Sequence, residues 1–360
     1  MGISFKNINQ LQVPTWNKLK VNGVSLDFAE NGLNGYSKEA ALTLPSEVEA
    51  NRFFAEPARD NIPDSIIQNY DFVSNNYNSA IVLTIPEGVL PDTPVIIDYS
   101  LDKSNSLLVD YIYIKAEKDS RATVIIKYNG DKCENSFHAG LTFLETGENA
   151  KVKLIKVQML PENSLHVDAV AAWSEDRAAA DIVLNELGSG RTAALCNILL
   201  KGRQSRGNLG GIYIGKGQKE MDLSYRIEFA AKETEGEISV RGALADSAKK
   251  TMKSILDFVA GASGSKGSEE ETVLTLSDKA VNLSAPLLLC GEDDVEGRHA
   301  TSTGRPDPGK LHYLMCRGFA RNEAERLLIE ASFAPLLSKI ETQEVRQEIT
   351  EYIGASINGQ

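Results

Sequence analysis

From Ile81 to Leu289 the chain is a succession of short segments rich in β-branched and aromatic residues, and no helix-length pattern interrupts them. IVLTI (81–85), PVIIDY (94–99), LLVDYIYIKA (107–116), TVIIKY (123–128), AGLTFLE (139–145) and VKLIKVQML (152–160) open the series. HVDAVAAW, ADIVLNEL, AALCNILL, GIYI, DLSYRIEFA, EISVRGALA, KSILDFVA, VLTL and APLLL continue it. That makes about fifteen strand-like segments at roughly 10–15-residue spacing, punctuated by Asp, Asn, Gly, Ser and Pro. With no helices between strands, crossover βαβ architecture is excluded and the chain is mainly β. A sandwich, a jelly roll, a propeller and a β-helix all use short strands with tight polar corners, and no strict tandem repeat selects among them. Gly-rich stretches such as GNLGGIYIGKG and AGASGSKGSEEE supply corners or loops.

The flanks differ in texture. Residues 1–78 are irregular: Pro14-Thr15-Trp16 followed by Asn17-Lys18-Leu19 predicts a short helix, with Trp16 as a packing anchor. Pro45-Ser46-Glu47, with Val48 and Phe53-Phe54, predicts another helix capped by Ser46. At the other side lies Glu292 to Gly318, a joint with an acidic triplet (Glu292, Asp293, Asp294) and a Gly- and Pro-rich run from Gly304 to Gly309, both turn chemistry. Beyond it only helical pattern remains. Lys310 to Phe319 and Asn322 to Ile340 read as helices, with Asn322 as a cap and Glu325 closing a capping box. Ala324, Leu327, Leu328 and Ala331 form an apolar stripe, Pro335 bends or ends the helix, and Val345, Ile349 and Ile353 continue at i, i+4, i+8. Three regions follow: 1–78 helical or irregular, 79–304 the β core, and 305–360 helical.

Composition narrows function. The formal net charge is −12 with no Lys/Arg run, so no nucleic-acid partner is expected. No segment approaches the ~18 uninterrupted apolar residues of a membrane span, and no signal-peptide stretch opens the chain, which leads us to expect a cytoplasmic protein. Cys133, Cys196, Cys290 and Cys316 are widely separated without a Cys-x-x-Cys pair, so buried free thiols are the default, with Cys133 the exposed one. GGIYIGKG (210–217) nearly spells a phosphate-binding loop, but Gly217 stands where Ser or Thr must be and strand pattern surrounds it. His166 and Asp168 share one face of a strand, which reads as cross-strand surface pairing. No nucleophile, base and orienting group assemble, so no enzyme is expected. A cupin-like or carbohydrate-binding module is the competing class, though a cupin wants its histidines together and the four here are scattered.

Within the joint, VEGRHATSTG is followed by LHYLMCRGF and EAERLL, and is preceded by DFVAGASGSKGSEEETVLTLSDKAVNLSAPLLLC (257–290). Together with PTWNKLKVNGVSL (14–26), these stretches resemble the SufB/SufD family of iron–sulfur cluster assembly proteins. Asp294, Val295, His299, Gly304, Leu311, Tyr313, Leu314, Arg317 and Gly318 carry the resemblance. His312 departs from the family's usual Phe, and Cys316 from its usual Ser.

The resemblance implies a right-handed parallel β-helix core flanked by an N-terminal irregular or helical region and a C-terminal helical region. It implies that the C-terminal helices dock a SufC-type ATPase through Leu311, Tyr313, Leu314, Arg317 and Gly318, and that a SufB-like subunit pairs with the β-helix edges. SufB-type chains carry Cys and Glu where this chain has Ala280 and Ala300, which makes it similar to the SufD-type partner. Many SufD-type chains also carry a Cys where this one has Gly297. His299, with Cys290 nine positions earlier as a weaker second, is then the candidate ligand for iron or a nascent iron–sulfur cluster at a subunit interface. No cofactor is expected to be held stably by this chain alone. A homodimeric scaffold that binds a cluster itself is the alternative within the family. Outside the family reading, a lone histidine in a polar joint is ordinarily a hydrogen-bonded structural residue.

Overall fold

The computed structural model describes residues 2–358 except 12, 16, 30, 31, 54–56, 58–61, 133 and 134, so Trp16, Phe54 and Cys133 lie outside the described residues. The first elements are an antiparallel hairpin of β1 (Gly2–Ile8) and β2 (Val24–Ala29), two short strands β3 (Ala41–Thr43) and β4 (Glu49–Asn51), and the helix α1 (Ile67–Asn76). Sixteen strands follow in two sheets. One takes β5 (Ser79–Ile85), β7 (Leu107–Ala116), β9 (Phe137–Thr146), β11 (Leu165–Ser174), β13 (Arg191–Leu200), β15 (Glu220–Phe229), β17 (Lys249–Phe258) and β19 (Val281–Cys290). The other takes β6 (Val95–Asp102), β8 (Arg121–Lys132), β10 (Lys151–Met159), β12 (Ala179–Glu186), β14 (Arg206–Gly215), β16 (Glu235–Leu244), β18 (Ser265–Thr275) and β20 (Val295–Gly304). From β7 to β18 each strand pairs in parallel with the one a coil earlier and a coil later, so the core is a parallel β-helix of about eight turns. Strand outweighs helix, 51% to 16%, as a mainly β chain requires, and a cupin barrel is excluded.

Coil length runs from 26 to 32 residues, as the pairings Leu165 with Arg191 and Lys249 with Val281 show. The coils turn at stacked corners whose key residue sits in the left-handed region: Asp119, Asn149, Arg177, Gln204 and Glu233 have φ of 57°, 58°, 57°, 59° and 60°. The amide of each donates to a carbonyl of the next coil, at Glu148, Asp176, Arg203, Lys232 and Ser263, over 2.9 to 3.1 Å. That ladder offsets part of the cost of placing bulky residues where Gly, Asn or Asp are preferred.

Alternation along the strands sorts the side chains into three apolar layers. Between the sheets lies the main core, with Ile97, Leu154, Ile182, Leu209 and Val240 among its buried members. Tyr99 stacks on Tyr128 at 5.5 Å and Phe229 on Phe258 at 4.2 Å, aromatic ladders formed because successive coils are in register. Space is tight: a Cβ at Gly242 would come within 2.0 Å of the Tyr213 ring. On the outer face of the first sheet, Phe137, Leu141, Phe143 and Trp173 are covered by the β1–β2 hairpin and α1. On the outer face of the second, Ile155, Val183 and Ile212 are covered by the C-terminal helices.

Those helices are α2 (Pro308–Cys316), α3 (Arg321–Leu337) and α4 (Gln343–Asn358). α2 starts at Asp307, whose carboxylate accepts from the amides of Gly309 and Lys310 at 2.8 and 2.9 Å, with Pro308 at the first position. α3 begins before the expected Asn322 cap: Ala320 is the capping residue and Glu323 reaches back to its amide at 2.7 Å. Its buried face runs through Ala324, Ile329, Phe333, Leu336 and Leu337, rotated from the expected stripe, so that Ala331 is exposed. Pro335 is tolerated inside the last turn of α3. Val345, Ile349 and Ile353 of α4 are buried as their spacing predicts.

Two further expectations are corrected. The helix predicted from Pro45 is a turn, closed by Val48 donating to the Pro45 carbonyl, that leads into β4, because pairing with β5 outweighs a short helix with little to cover it. The joint is not all turn: 295–304 forms β20, laid in register on β18, and the acidic triplet is the corner before it.

The helical cover gives a direct test of the outer packing. Ile349→Ala should lower unfolding free energy by about 2–5 kcal/mol in a urea titration. The exposed Gln347→Ala on the same helix should change it by no more than about 0.5 kcal/mol.

Candidate functional site at the open end of the β-helix

The two ends of the solenoid are finished differently. At the first coil β3 and β4 add antiparallel to β6 and β5, closing both sheets with short strands. At the last coil β19 and β20 are the terminal members of their sheets, and their outer edges carry no further strand among the described residues. Most of β20 is exposed, including positions that in earlier coils are buried.

His299 is the fifth residue of β20 and pairs in register with Glu269 of β18. Gly267, Glu269 and Val273 are alternate residues on the interior side of β18, so His299 occupies the next step of an interior column with nothing stacked on it. Beneath it, Glu269 is 4% exposed, and neither of its carboxylate oxygens completes a hydrogen bond of ordinary geometry. Burial pushes its pKa up to about 7, and the charge of Glu271 adds to this, although the nearby Ser254 hydroxyl and Ala300 amide ease ionisation. Glu271 itself is fully engaged. It pairs with Lys250, accepts from Ser284 at 2.6 Å and from the Tyr213 hydroxyl at 3.2 Å.

Cys290 is placed less favourably. It ends β19 as an exposed thiol beside Phe258, and it is Leu288, not Cys290, that faces Gly297: a Cβ there would lie 2.6 Å from Leu288. Ala300 is exposed beside Glu270, and Ala280 packs partly against the core. Among the described residues no group of three or more His, Cys, Asp and Glu side chains converges where a metal ion could sit. Among the described residues the open end thus offers separate donors.

The residues expected to meet a partner lie on α2 and just after it. Leu311 is buried, Leu314 half-buried and Tyr313 57% exposed. Arg317 donates to the Tyr313 hydroxyl at 3.0 Å with its guanidinium 5.2 Å from the ring, and Gly318 leaves the helix at φ 99°. Met315 and Phe319 are also exposed, extending an apolar surface the sequence reading did not include. The departures His312 and Cys316 touch, with Nε2 and Sγ 3.5 Å apart.

Of three sequence readings, two look different in the fold and the strand reading of 210–217 holds. Cys196 is a buried thiol as expected, but Cys290 and Cys316 are exposed. GGIYIGKG is strand β14 and its turn, with no helix to receive a phosphate. His166 and Asp168 do share a face, but it is the inside of the solenoid, not the surface: His166 meets His138 of the previous coil and Asp168 pairs with Lys156 at 2.7 Å. FHAGL and LHVDA, 28 residues apart, were the signal for this stacking, hidden because single matches at a variable period do not stand out.

The Glu269 carboxyl has a folded pKa above its unfolded one, so it costs stability as pH rises from the ordinary glutamate range to about 7. Glu269→Gln should therefore match the parent in melting temperature near pH 4 and exceed it near pH 8. The gain should be about 1–2 kcal/mol after allowance for solvent at the open end.

Comparison with known proteins agrees with this architecture. The family model described as SUF system FeS cluster assembly, SufBD core domain, matches residues 99–332. The iron–sulfur cluster assembly protein SufD of Bacillus subtilis is 30% identical over 77% of this chain and 64% of its own length, so the chain spans somewhat less than two thirds of that relative. A SufBD family protein of Pyrococcus horikoshii is 25% identical over 91% of this chain and 74% of its own. SufB of Bacillus subtilis is 20% identical over 71% and 55%. The chain belongs to the SufB/SufD family of the SUF iron–sulfur cluster assembly system and is a SufD-like member of it.

Proposed function

We propose that the chain is a non-catalytic, SufD-like subunit of an iron–sulfur cluster assembly complex, pairing with a SufB-like subunit through its open β-helix end. The observation that carries this is the asymmetry of the solenoid: one end is capped by antiparallel strands, and the other presents two unpaired parallel edges. Such edges bind further strands unless they are covered or charged. A second copy of this chain would fit the same edges, so a homodimer is the competing occupant.

His299 sits on that end, exposed and on the interior column, where imidazole suits ferrous iron. In this reading it contributes to iron entry or nascent cluster binding together with ligands from the partner, and Cys290 is a weaker second. The iron or cluster is cargo here. The exposed Tyr313, Met315 and Phe319 form the surface offered to a SufC-type ATPase. Among the described residues no helix is long and apolar enough to cross a membrane.

The test is co-expression of the tagged chain with a SufB-type subunit and a SufC-type ATPase, followed by the mass of the purified complex. Deleting the C-terminal helices is unsuitable, since α3 and α4 cover the second sheet. Tyr313→Asp combined with Phe319→Ser should release the ATPase while leaving the SufB-type contact intact. A monodisperse chain that ignores both partners contradicts the proposal. In the reconstituted complex His299→Ala should slow cluster formation about tenfold or more, by loss of a ligand. An unchanged rate removes His299 from the role.

A further inference from the structure

Two departures from the family pattern meet on the surface. His312 and Cys316 lie four residues apart on α2, so the helix sets them one turn apart on the same face. Both are exposed, and Nε2 of the imidazole is 3.5 Å from Sγ of the thiol. With the thiol protonated, S–H donates to Nε2 and the ring proton lies on Nδ1. Neither side chain belongs to a packed layer, since only Leu311 of α2 is buried.

The separation of the two donor atoms suits a metal ion as well as a shared proton. A tetrahedral zinc ion, with a thiolate sulfur at about 2.3 Å and an imidazole nitrogen at about 2.0 Å, holds those two atoms about 3.5 Å apart. The backbone beneath the pair is already fixed: Asp307 caps the start of α2 and Leu311 anchors its middle. A cation therefore meets two ligands whose helix needs no further ordering, which lowers the entropic cost of binding. The ligand types also select. Calcium and magnesium take oxygen donors, whereas thiolate with imidazole suits zinc and ions like it.

The charges around the pair allow a cation. Cys316 is the last residue of α2, where the helix end carries partial negative charge. The neighbouring guanidinium groups are engaged elsewhere. Arg317 donates to the Tyr313 hydroxyl at 3.0 Å, Arg321 pairs with Glu325 at 3.0 Å, and Arg305 pairs with Asp278. The chain as a whole carries a formal charge of −12, which draws cations to its surface.

We propose that His312 and Cys316 form a two-ligand surface site for a thiophilic, tetrahedral cation of the zinc class. On binding, the S–H bond breaks, its proton leaves to solvent, and the cation takes the place between Sγ and Nε2. Water completes the coordination in the free chain, and no oxidation state changes. The bound ion clips the turn of α2 from 312 to 316, the turn that carries Tyr313. The site uses neither His299 nor Cys290, and it does not rest on the assembly reading.

The test is titration of the purified, reduced, metal-free and untagged full chain with Co²⁺ as the spectroscopic probe, followed by Zn²⁺. A thiolate-to-cobalt charge-transfer band should appear, one proton should be released per ion bound, and zinc should displace the cobalt. Cys316→Ser should abolish the band, and His312→Phe should raise the cobalt dissociation constant about tenfold or more. Cys290→Ser and His299→Ala should leave both unchanged. All four positions are exposed, so none of these substitutions opens a cavity in the core. A band that survives Cys316→Ser, or one lost with Cys290→Ser, overturns the proposal. So does an affinity indifferent to His312→Phe, or no cobalt uptake at all, which would leave the pair a thiol–imidazole hydrogen bond only.

Discussion

Every other feature of this molecule depends on the in-register parallel stacking of its coils. A single coil of two strands cannot satisfy its own backbone amides or bury its own side chains, so each depends on the coil on either side. Identical positions are thereby brought one above another, which is why Tyr99 meets Tyr128, Phe229 meets Phe258 and His138 meets His166. The same constraint leaves the last coil with unmet demands. β19 and β20 have backbone groups ready to pair and interior positions with nothing above them, and His299 is one of those positions.

Much of this was legible in the residues. The β-branched segments from Ile81 onward mark fifteen of the sixteen coil strands, because those positions face packed layers on one or both sides. The repeat itself was not legible. Coils differ in length, and the corner that a repeat would have flagged is filled by Asp119, Asn149, Arg177, Gln204 and Glu233, which share a backbone conformation and not a residue type. The missed strand, β20, is missed for a related reason: VEGRHATSTG is small and polar because its faces are not yet covered. The family resemblance supplied what periodicity could not, the choice of β-helix and the attention to His299. It did not single out Glu269 or the interior histidines, which become neighbours only when coils are stacked.

The interior polar groups are costly to a fold held mainly by apolar layers. Lys250 with Glu271, Lys156 with Asp168, and His138 with Asp110 are each withdrawn from water, and such pairs seldom repay their desolvation. They are concentrated in two places, one under the open end and one around His166, separated by apolar residues such as Leu209, Cys196 and Leu223. Their confinement ties this interior charge to specific locations in the solenoid, while on the outer face of the first sheet Lys253 and Asp222 form a further buried pair to which the Asn9 side chain donates.

The central claim is that the edges of β19 and β20 are the contact with a SufB-like subunit. Amide hydrogen exchange across residues 281–304, measured by mass spectrometry on the chain alone and after addition of a SufB-type partner, tests it most directly. The account predicts fast exchange in the free chain and marked slowing in this stretch on mixing, while the capped end at 41–51 is unchanged. Exchange at 281–304 that is the same with and without the partner, or slowing confined to another surface, would contradict it.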